Sequence, residues 1–169
     1  EEFFFLEVNP RIQVEHPVTE EVFGVDLVKL QIELAAGEPM PLVQADIVAR
    51  GHAIEVRVNA ENPWTFRPSP GRICGYHAPG GPGVRIDSAV HDQAVVQPFY
   101  DSLIAKLIVW APNREGAIRR MLGAIDEYVV EGIDTTLPLQ RALVDDPMFR
   151  DVRYNTRCVD AWLEAQRAS

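Results

Sequence analysis

Eight residues, His52 to Asn59, alternate without interruption: Ile54, Val56 and Val58 fall on one side, Glu55, Arg57 and Asn59 on the other. A period of two marks a strand with one face buried and one face wet. Such a strand cannot stand alone, so its surroundings must supply partner strands and a layer over the aliphatic face. The sequence provides both. Arg72 to Ala78 and Val84 to Val90 read as strands on either side of Pro79-Gly80-Gly81-Pro82-Gly83, whose composition predicts a hairpin turn. Leu103 to Trp110 is a nearly continuous apolar run, as expected of a buried strand, broken only by Lys106. The period then lengthens. Asn113 is placed to cap a helix with Ile118, Met121, Leu122, Ile125 and Tyr128 on one side; a second helix starts near Thr136 and ends before Pro147, and a third spans Thr156 to Ala165. Strands first and helices later predict an α+β fold, with a mostly antiparallel sheet and flanking helices.

The N-terminal part has a different character. Phe3-Phe4-Phe5-Leu6-Glu7-Val8 is rich in β-forming residues and predicts a strand; a polar stretch from Pro10 to Thr19 follows. Asp26 then reads as the cap of a helix with Leu27, Leu30 and Leu34 on one face, stopped by Gly37 and Pro39. The segment Pro39 to Asp46 reads as a connection, which divides the chain into residues 1–47 and 48–169. An opening directly on a strand suggests a fragment of a longer protein.

With 47% hydrophobic and 24% charged residues, the chain has the makings of a packed core. Its 25 acidic and 16 basic residues give a formal net charge of −9, which argues against a nucleic-acid or anionic-membrane surface but leaves room for a local basic pocket. Cys74 and Cys158 lie far apart with no CxxC or Cys/His ligand spacing, so they read as two reduced thiols in a cytoplasmic compartment. No apolar run reaches the ~20 residues that span a bilayer, and the acidic start lacks the basic region of a signal peptide.

Chemistry concentrates in Glu7-Val8-Asn9-Pro10-Arg11-Ile12-Gln13-Val14-Glu15-His16. If the extended conformation continues, Glu7, Asn9, Arg11, Gln13 and Glu15 share one face. A carboxylate and an amide oxygen two residues apart suit a hard cation such as Mg²⁺. The guanidinium beside them suits a planar oxyanion, because its fork can bond two oxygens at once. A nearby second carboxylate can act as a general base. Spacing alone equally allows a solvated strand face with an Arg–Glu surface pair.

The run Phe5-Leu6-Glu7-Val8-Asn9-Pro10-Arg11 resembles the metal-binding strand of ATP-grasp carboxylases and carbamoyl-phosphate synthetases. Its continuation, Gln13-Val14-Glu15-His16-Pro17-Val18-Thr19-Glu20, resembles biotin carboxylase specifically; the synthetases have a serine-rich segment there. Further matches to biotin carboxylase follow in order at Gly51 to Glu61, Pro68 to Gly71, His77 to Gly81 and Tyr100 to Lys106. The resemblance implies the end of an ATP-grasp domain followed by a biotin carboxylase C-terminal domain. It implies that Glu7 and Asn9 ligate the Mg²⁺ (or Mn²⁺) that holds ATP phosphates, and that Arg11, Gln13 and the Val14 backbone bind bicarbonate. Glu15 would be the catalytic base and Arg57 the residue that binds the biotin ureido oxygen. ATP and carrier-bound biotin are the implied substrates. The implied partners are a biotin carboxyl carrier domain, a carboxyltransferase and a second copy of the parent in a homodimer. The glycine-rich lid and adenine-binding lysines of the family have no counterpart in these residues, so the chain by itself is expected to be inactive. The competing reading is a non-catalytic dimerisation or binding module that retains the fold; the intact Glu7, Asn9, Arg11, Glu15 and Arg57 argue against it.

Other features are less specific. Gly80-Gly81-Pro82-Gly83 lacks a phosphate-loop pattern. In the family this segment and Arg85 lie near the dimer contact, but some members carry an aromatic residue where this chain has Pro82. His16, His52, His77 and His91 show no metal-ligand spacing, and His16 and His52 read as structural hydrogen-bonders. For Arg57, a salt bridge to Glu55 or Glu61 is the plain alternative. For Asp101 and Lys106 it is a buried ion pair with each other.

Overall fold

The computed structural model describes residues 2–167, which form two compact units, one up to Arg50 and one from Gly51. In the first unit the expected strand from Phe3 to Val8 is not formed. A strand completes its backbone bonds on a neighbour, and no described residue of this unit pairs with the segment. Its side chains are correspondingly exposed, Phe3 at 96% and Leu6 at 89%.

Helix α1, His16–Phe23, starts with Pro17 in its first turn, where a missing N–H costs nothing. It stops at Gly24, whose φ of 67° is left-handed and whose N–H returns to the Glu20 carbonyl at 2.8 Å. Helix α2, Leu27–Ala35, begins where Asp26 Oδ1 accepts from the Lys29 N–H at 2.8 Å, as its cap position predicts. The buried Glu20 carboxylate accepts from the Leu27 N–H at 2.8 Å, joining the two helices. The expected face of α2 is only partly covered: Leu27 and Leu30 are half-buried and Leu34 is exposed.

The second unit holds strands β1 (His52–Asn59), β2 (Gly71–Arg72), β3 (Gly75–His77), β4 (Val84–Ser88), β5 (Val95–Val96) and β6 (Leu103–Ala111), then helix α3 (Arg114–Glu127). Strand β7 (Val129–Glu131) and helices α4 (Leu137–Asp145), α5 (Pro147–Arg150) and α6 (Cys158–Arg167) follow. The main sheet is antiparallel in the order β1–β6–β4, with two short antiparallel pairs, β2–β5 and β3–β7. An α+β fold with an antiparallel sheet is therefore what the chain adopts. The alternation of β1 appears as burial: Ile54, Val56 and Val58 are covered while Arg57 is exposed. β6 is central and loses both faces to the interior, with Leu107, Ile108 and Val109 all at 0% exposure. That explains its continuous apolar run. Helix α3, capped by Asn113 Oδ1 at 2.8 Å from the Gly116 N–H, closes the core with Ala117, Ile118, Met121 and Ile125.

Two expectations are corrected. The Pro79 to Gly83 segment is not a hairpin, because β3 pairs with β7 and β4 pairs with β6; it carries the chain from one sheet to another. Gly83 there has a φ of 72°, and a Cβ would collide with the Trp110 carbonyl, whose strand takes the Trp110 N–H to Gly83 O at 2.8 Å. The strand Arg72 to Ala78 is split in two at the buried Ile73, since its halves pair with different partners. The helix expected from near Thr136 does end before Pro147, and Pro147 opens the short α5, with Asp146 Oδ1 accepting from the Met148 N–H at 2.7 Å. No helix among the described residues is long and apolar enough to cross a membrane.

Candidate functional site

In the first unit, Glu7, Asn9 and Arg11 are exposed and Gln13 and Val14 half-buried, with Glu15 exposed at the entrance to α1. They do not share a strand face. The Arg11 N–H donates to the Asn9 carbonyl at 2.9 Å, a tight turn about Pro10 that ends the alternation expected from parity. Past it the backbone coils into α1: the His16 N–H reaches Gln13 O at 3.3 Å and the Val18 N–H reaches Glu15 O at 3.1 Å. His16 Nδ1 lies 2.7 Å from the same Gln13 carbonyl, so that nitrogen carries the proton and fixes the turn. His16 is thus a structural hydrogen-bonder, as expected. Arg11 makes a local bond, Nη1 to the Ile12 carbonyl at 3.2 Å, which leaves most of its fork available to a ligand.

Asn9 and Arg11 line one cavity of about 360 Å³, completed by Leu30, Gln31 and Leu34 of α2. Glu7, Gln13, Val14 and Glu15 are not part of that lining. Among the described residues no three His, Cys, Asp or Glu side chains gather into a metal-binding group. Glu7 and Asn9 can therefore contribute hard oxygen donors from two side chains, a carboxylate and an amide carbonyl. That fits Mg²⁺, which keeps waters and substrate phosphates for the rest of its shell.

In the second unit Arg57 projects from the middle of β1. Its Nη2 lies 4.0 Å from Asp101 Oδ1, with the two side chains 48% and 75% exposed. Asp101 is itself held in place, accepting from the Leu103 N–H at 2.8 Å. The ion pair shown is thus with Asp101 rather than Glu55 or Glu61; the Glu61 carboxylate instead accepts from Asn59 Nδ2 at 3.2 Å and from the Ser102 hydroxyl. Nor does Asp101 pair with Lys106. Lys106, 13% exposed, stands between strands with its Nζ 3.4 Å from Asp87 Oδ2. Asp87 receives Arg85 Nε at 2.8 Å and Nη2 at 2.9 Å, a two-pronged guanidinium–carboxylate contact. Burial pushes the Asp87 carboxyl up, but the Arg85 bonds and the charges of Arg85 and Lys106 outweigh it and hold the group below the usual aspartate range.

Sequence reasoning misses Asp87. Its signal is the alternation Val84-Arg85-Ile86-Asp87, which puts Arg85 and Asp87 on the polar face, but only register places Asp87 opposite Lys106. His52 is also structural: Arg114 Nη1 sits 3.3 Å from its Nε2, which must accept. Burial and then the Arg114 charge lower its pKa.

Residues 55–161 match the Biotin carboxylase C-terminal domain, and residues 1–43 match the Carbamoyl-phosphate synthase L chain, ATP binding domain. The chain is 55% identical over 148 residues to biotin carboxylase of Allochromatium vinosum, covering 88% of this chain and 33% of that protein. It is 53% identical over 159 residues to biotin carboxylase of a Nostoc species, covering 94% of this chain and 36% of that one. It superposes with a TM-score of 0.91 and 49% identity on the biotin carboxylase domain dimer of Hydrogenobacter thermophilus 2-oxoglutarate carboxylase, solved with MgADP, ADP and bicarbonate; the match covers 94% of this chain and 35% of that one. The chain spans about a third of the length of these relatives. With the family match extending over most of the residues and half of them identical to biotin carboxylases, the chain belongs to the biotin carboxylase family.

Proposed function

We propose that this chain is the part of a biotin carboxylase that binds bicarbonate and biotin, completed by the remainder of a longer enzyme. The reaction is the ATP- and bicarbonate-dependent carboxylation of biotin on a carrier protein, the first half-reaction of a biotin-dependent carboxylase such as an acyl-CoA carboxylase. Residues 1–47 are then the end of the ATP-grasp domain and 48–169 the C-terminal domain. The observation that carries the reading is Arg57, a half-exposed guanidinium on β1 beside the central β6, held by one ion pair at 4.0 Å that a ligand oxygen can replace.

In this reading Glu7 and Asn9 would hold Mg²⁺ or Mn²⁺ through their side-chain oxygens, and the ion would neutralise phosphate charge on ATP. Arg11, Gln13 and the Val14 backbone hold bicarbonate, with Arg11 free to offer a fork to its oxygens. Glu15 takes the bicarbonate proton, so that the oxyanion can attack the γ-phosphorus and release ADP. Carboxyphosphate gives CO₂ and phosphate, and the phosphate takes the N1′ proton of biotin. Arg57 offsets the negative charge that appears on the ureido oxygen as N1′ attacks CO₂. The partners are a carrier domain, a carboxyltransferase and a second copy of the parent. Cys74 and Cys158 are free thiols, which fits a cytoplasmic setting.

The test uses the full-length enzyme with Arg57→Ser and two assays on one preparation: free-biotin carboxylation and biotin-independent ATP hydrolysis. Carboxylation is expected to fall roughly 10²-fold, the scale of losing one charge-stabilising donor, while ATP hydrolysis falls much less. Equal losses in both would reduce Arg57 to a structural residue. Retention of the fold with neither activity in the unaltered enzyme would favour the non-catalytic binding module.

A further inference from the structure

Arg57 on β1 and Lys106 on β6 are direct cross-strand partners, and Lys106 is in turn the direct partner of Asp87 on β4. Like charges directly opposite in an antiparallel pair destabilise the sheet. Here one of the two is also an ammonium with 13% of its side chain exposed, in the middle of the central strand. An apolar residue would fill that position at lower cost, as Ile108, two residues on and on the same face of the strand, shows. A broken local rule without a packing gain is what a functional site looks like.

We propose that Lys106, braced by Asp87, is a positioning residue for Arg57; this rests on the reading of Arg57 given above. Asp87 is the carboxylate at the far end of the same row of side chains. It stands two strand spacings away, about 10 Å, a gap that the long Arg57 side chain and the shorter Asp87 can close between them. Lys106 occupies the ground between them and takes Asp87 Oδ2 at 3.4 Å. Its charge therefore denies Arg57 the sheet surface twice over, by repulsion and by satisfying the carboxylate that would attract it. Arg57 is left extended toward the exposed Asp101, in a loose ion pair at 4.0 Å. Arg85, which bonds Asp87 on both oxygens, holds that carboxylate in place rather than competing for Arg57.

Removing the Lys106 charge should let Arg57 fold back onto Asp87, and removing Asp87 as well should release it again. In the full-length enzyme, Lys106→Met is expected to lower free-biotin carboxylation roughly tenfold or more, the cost of a misplaced catalytic group, with biotin-independent ATP hydrolysis unchanged. Lys106→Arg, which keeps the charge, should stay near the parent rate. Asp87→Asn combined with Lys106→Met should regain most of the loss, a recovery that a merely structural role would not produce. In an Arg57→Ser background, Lys106→Met should have no further effect. Unchanged carboxylation in Lys106→Met, equal losses in Lys106→Met and Lys106→Arg, or no recovery in the double variant would each overturn the role of Lys106. Those outcomes leave the functional reading intact so long as Arg57→Ser alone shows its selective loss. Without that selective loss, the reading and the proposal both fall.

Discussion

The hydroxyls of Tyr76 and Tyr128 meet at 2.9 Å with their rings edge to face, centroids 5.8 Å apart at 80°. Tyr76 lies on β3 and Tyr128 ends α3, so this contact ties the small β3–β7 pair to the helix that covers the main sheet. Tyr76 also donates to Ser88 Oγ at 3.1 Å, and Ser88 Oγ donates to Val90 O at 2.9 Å, so a single chain of hydrogen bonds runs from Tyr128 to β4 and beyond. Burial, with the bond that its hydroxyl makes to Tyr76, pushes the Tyr128 phenol pKa far above its ordinary range. Tyr128→Phe keeps the ring and removes the bond. It should destabilise the protein by about 1 kcal/mol, the usual net worth of one hydrogen bond, read by urea denaturation. An unchanged midpoint would mean that the ring alone holds the two elements together.

Stability should also respond to His52. Its folded pKa lies below its ordinary value of about 6.5, so between the two values the unfolded chain binds the proton and the folded chain does not. Stability from this group is therefore complete above about pH 6.5 and declines as the pH falls toward the folded value. Replacing His52 with Gln, which can still accept from Arg114, should flatten the pH dependence over that interval. An NMR titration of the ring should show a midpoint below 6.5; one above it would contradict the accepting role of Nε2.

For Glu15 the expectation concerns chemistry. Glu15→Gln in the full-length enzyme retains size and hydrogen bonding but removes the base. Turnover should fall ~10²-fold or more, with ATP and metal affinity nearly unchanged. A parental rate would show that Glu15 serves only the entrance of α1.

Expressed as these 169 residues, the chain should bind ATP·Mg weakly at most and show no bicarbonate-dependent ATP hydrolysis. The contrary result, biotin-dependent hydrolysis at enzyme-like rates, would place a complete ATP site within a third of the relatives' length.

Much of the second unit was readable from residues alone because its elements are long and their patterns local. The alternation from Ile54 to Val58, the double-sided burial behind Leu107 to Val109 and the Asn113 cap all follow from a few neighbouring side chains. The division of Arg72 to Ala78 did not, since it depends on β5 and β7, each two or three residues long and distant in sequence. The same distinction applies to the site. That Arg57 faces solvent follows from parity; that it meets Asp101 while Lys106 takes Asp87 depends on the register of three strands. At Glu7 to Glu15, parity misled because one turn at Pro10 resets the direction of every later side chain. The resemblance to biotin carboxylase carried the family, and the roles proposed for these residues come from it where spacing left them open.

The Phe3 to Leu6 segment has a practical corollary. Four consecutive large apolar side chains, each more than four-fifths exposed, adjoin a backbone with no ladder partner among the described residues. Extended apolar segments of this kind stack readily with their own copies. At high concentration the isolated 169-residue polypeptide will then behave as a colloid governed by these few residues, precipitating through them while the β1–β6–β4 sheet remains folded. Charged replacements at Phe3 and Phe5 would raise its solubility without touching the core.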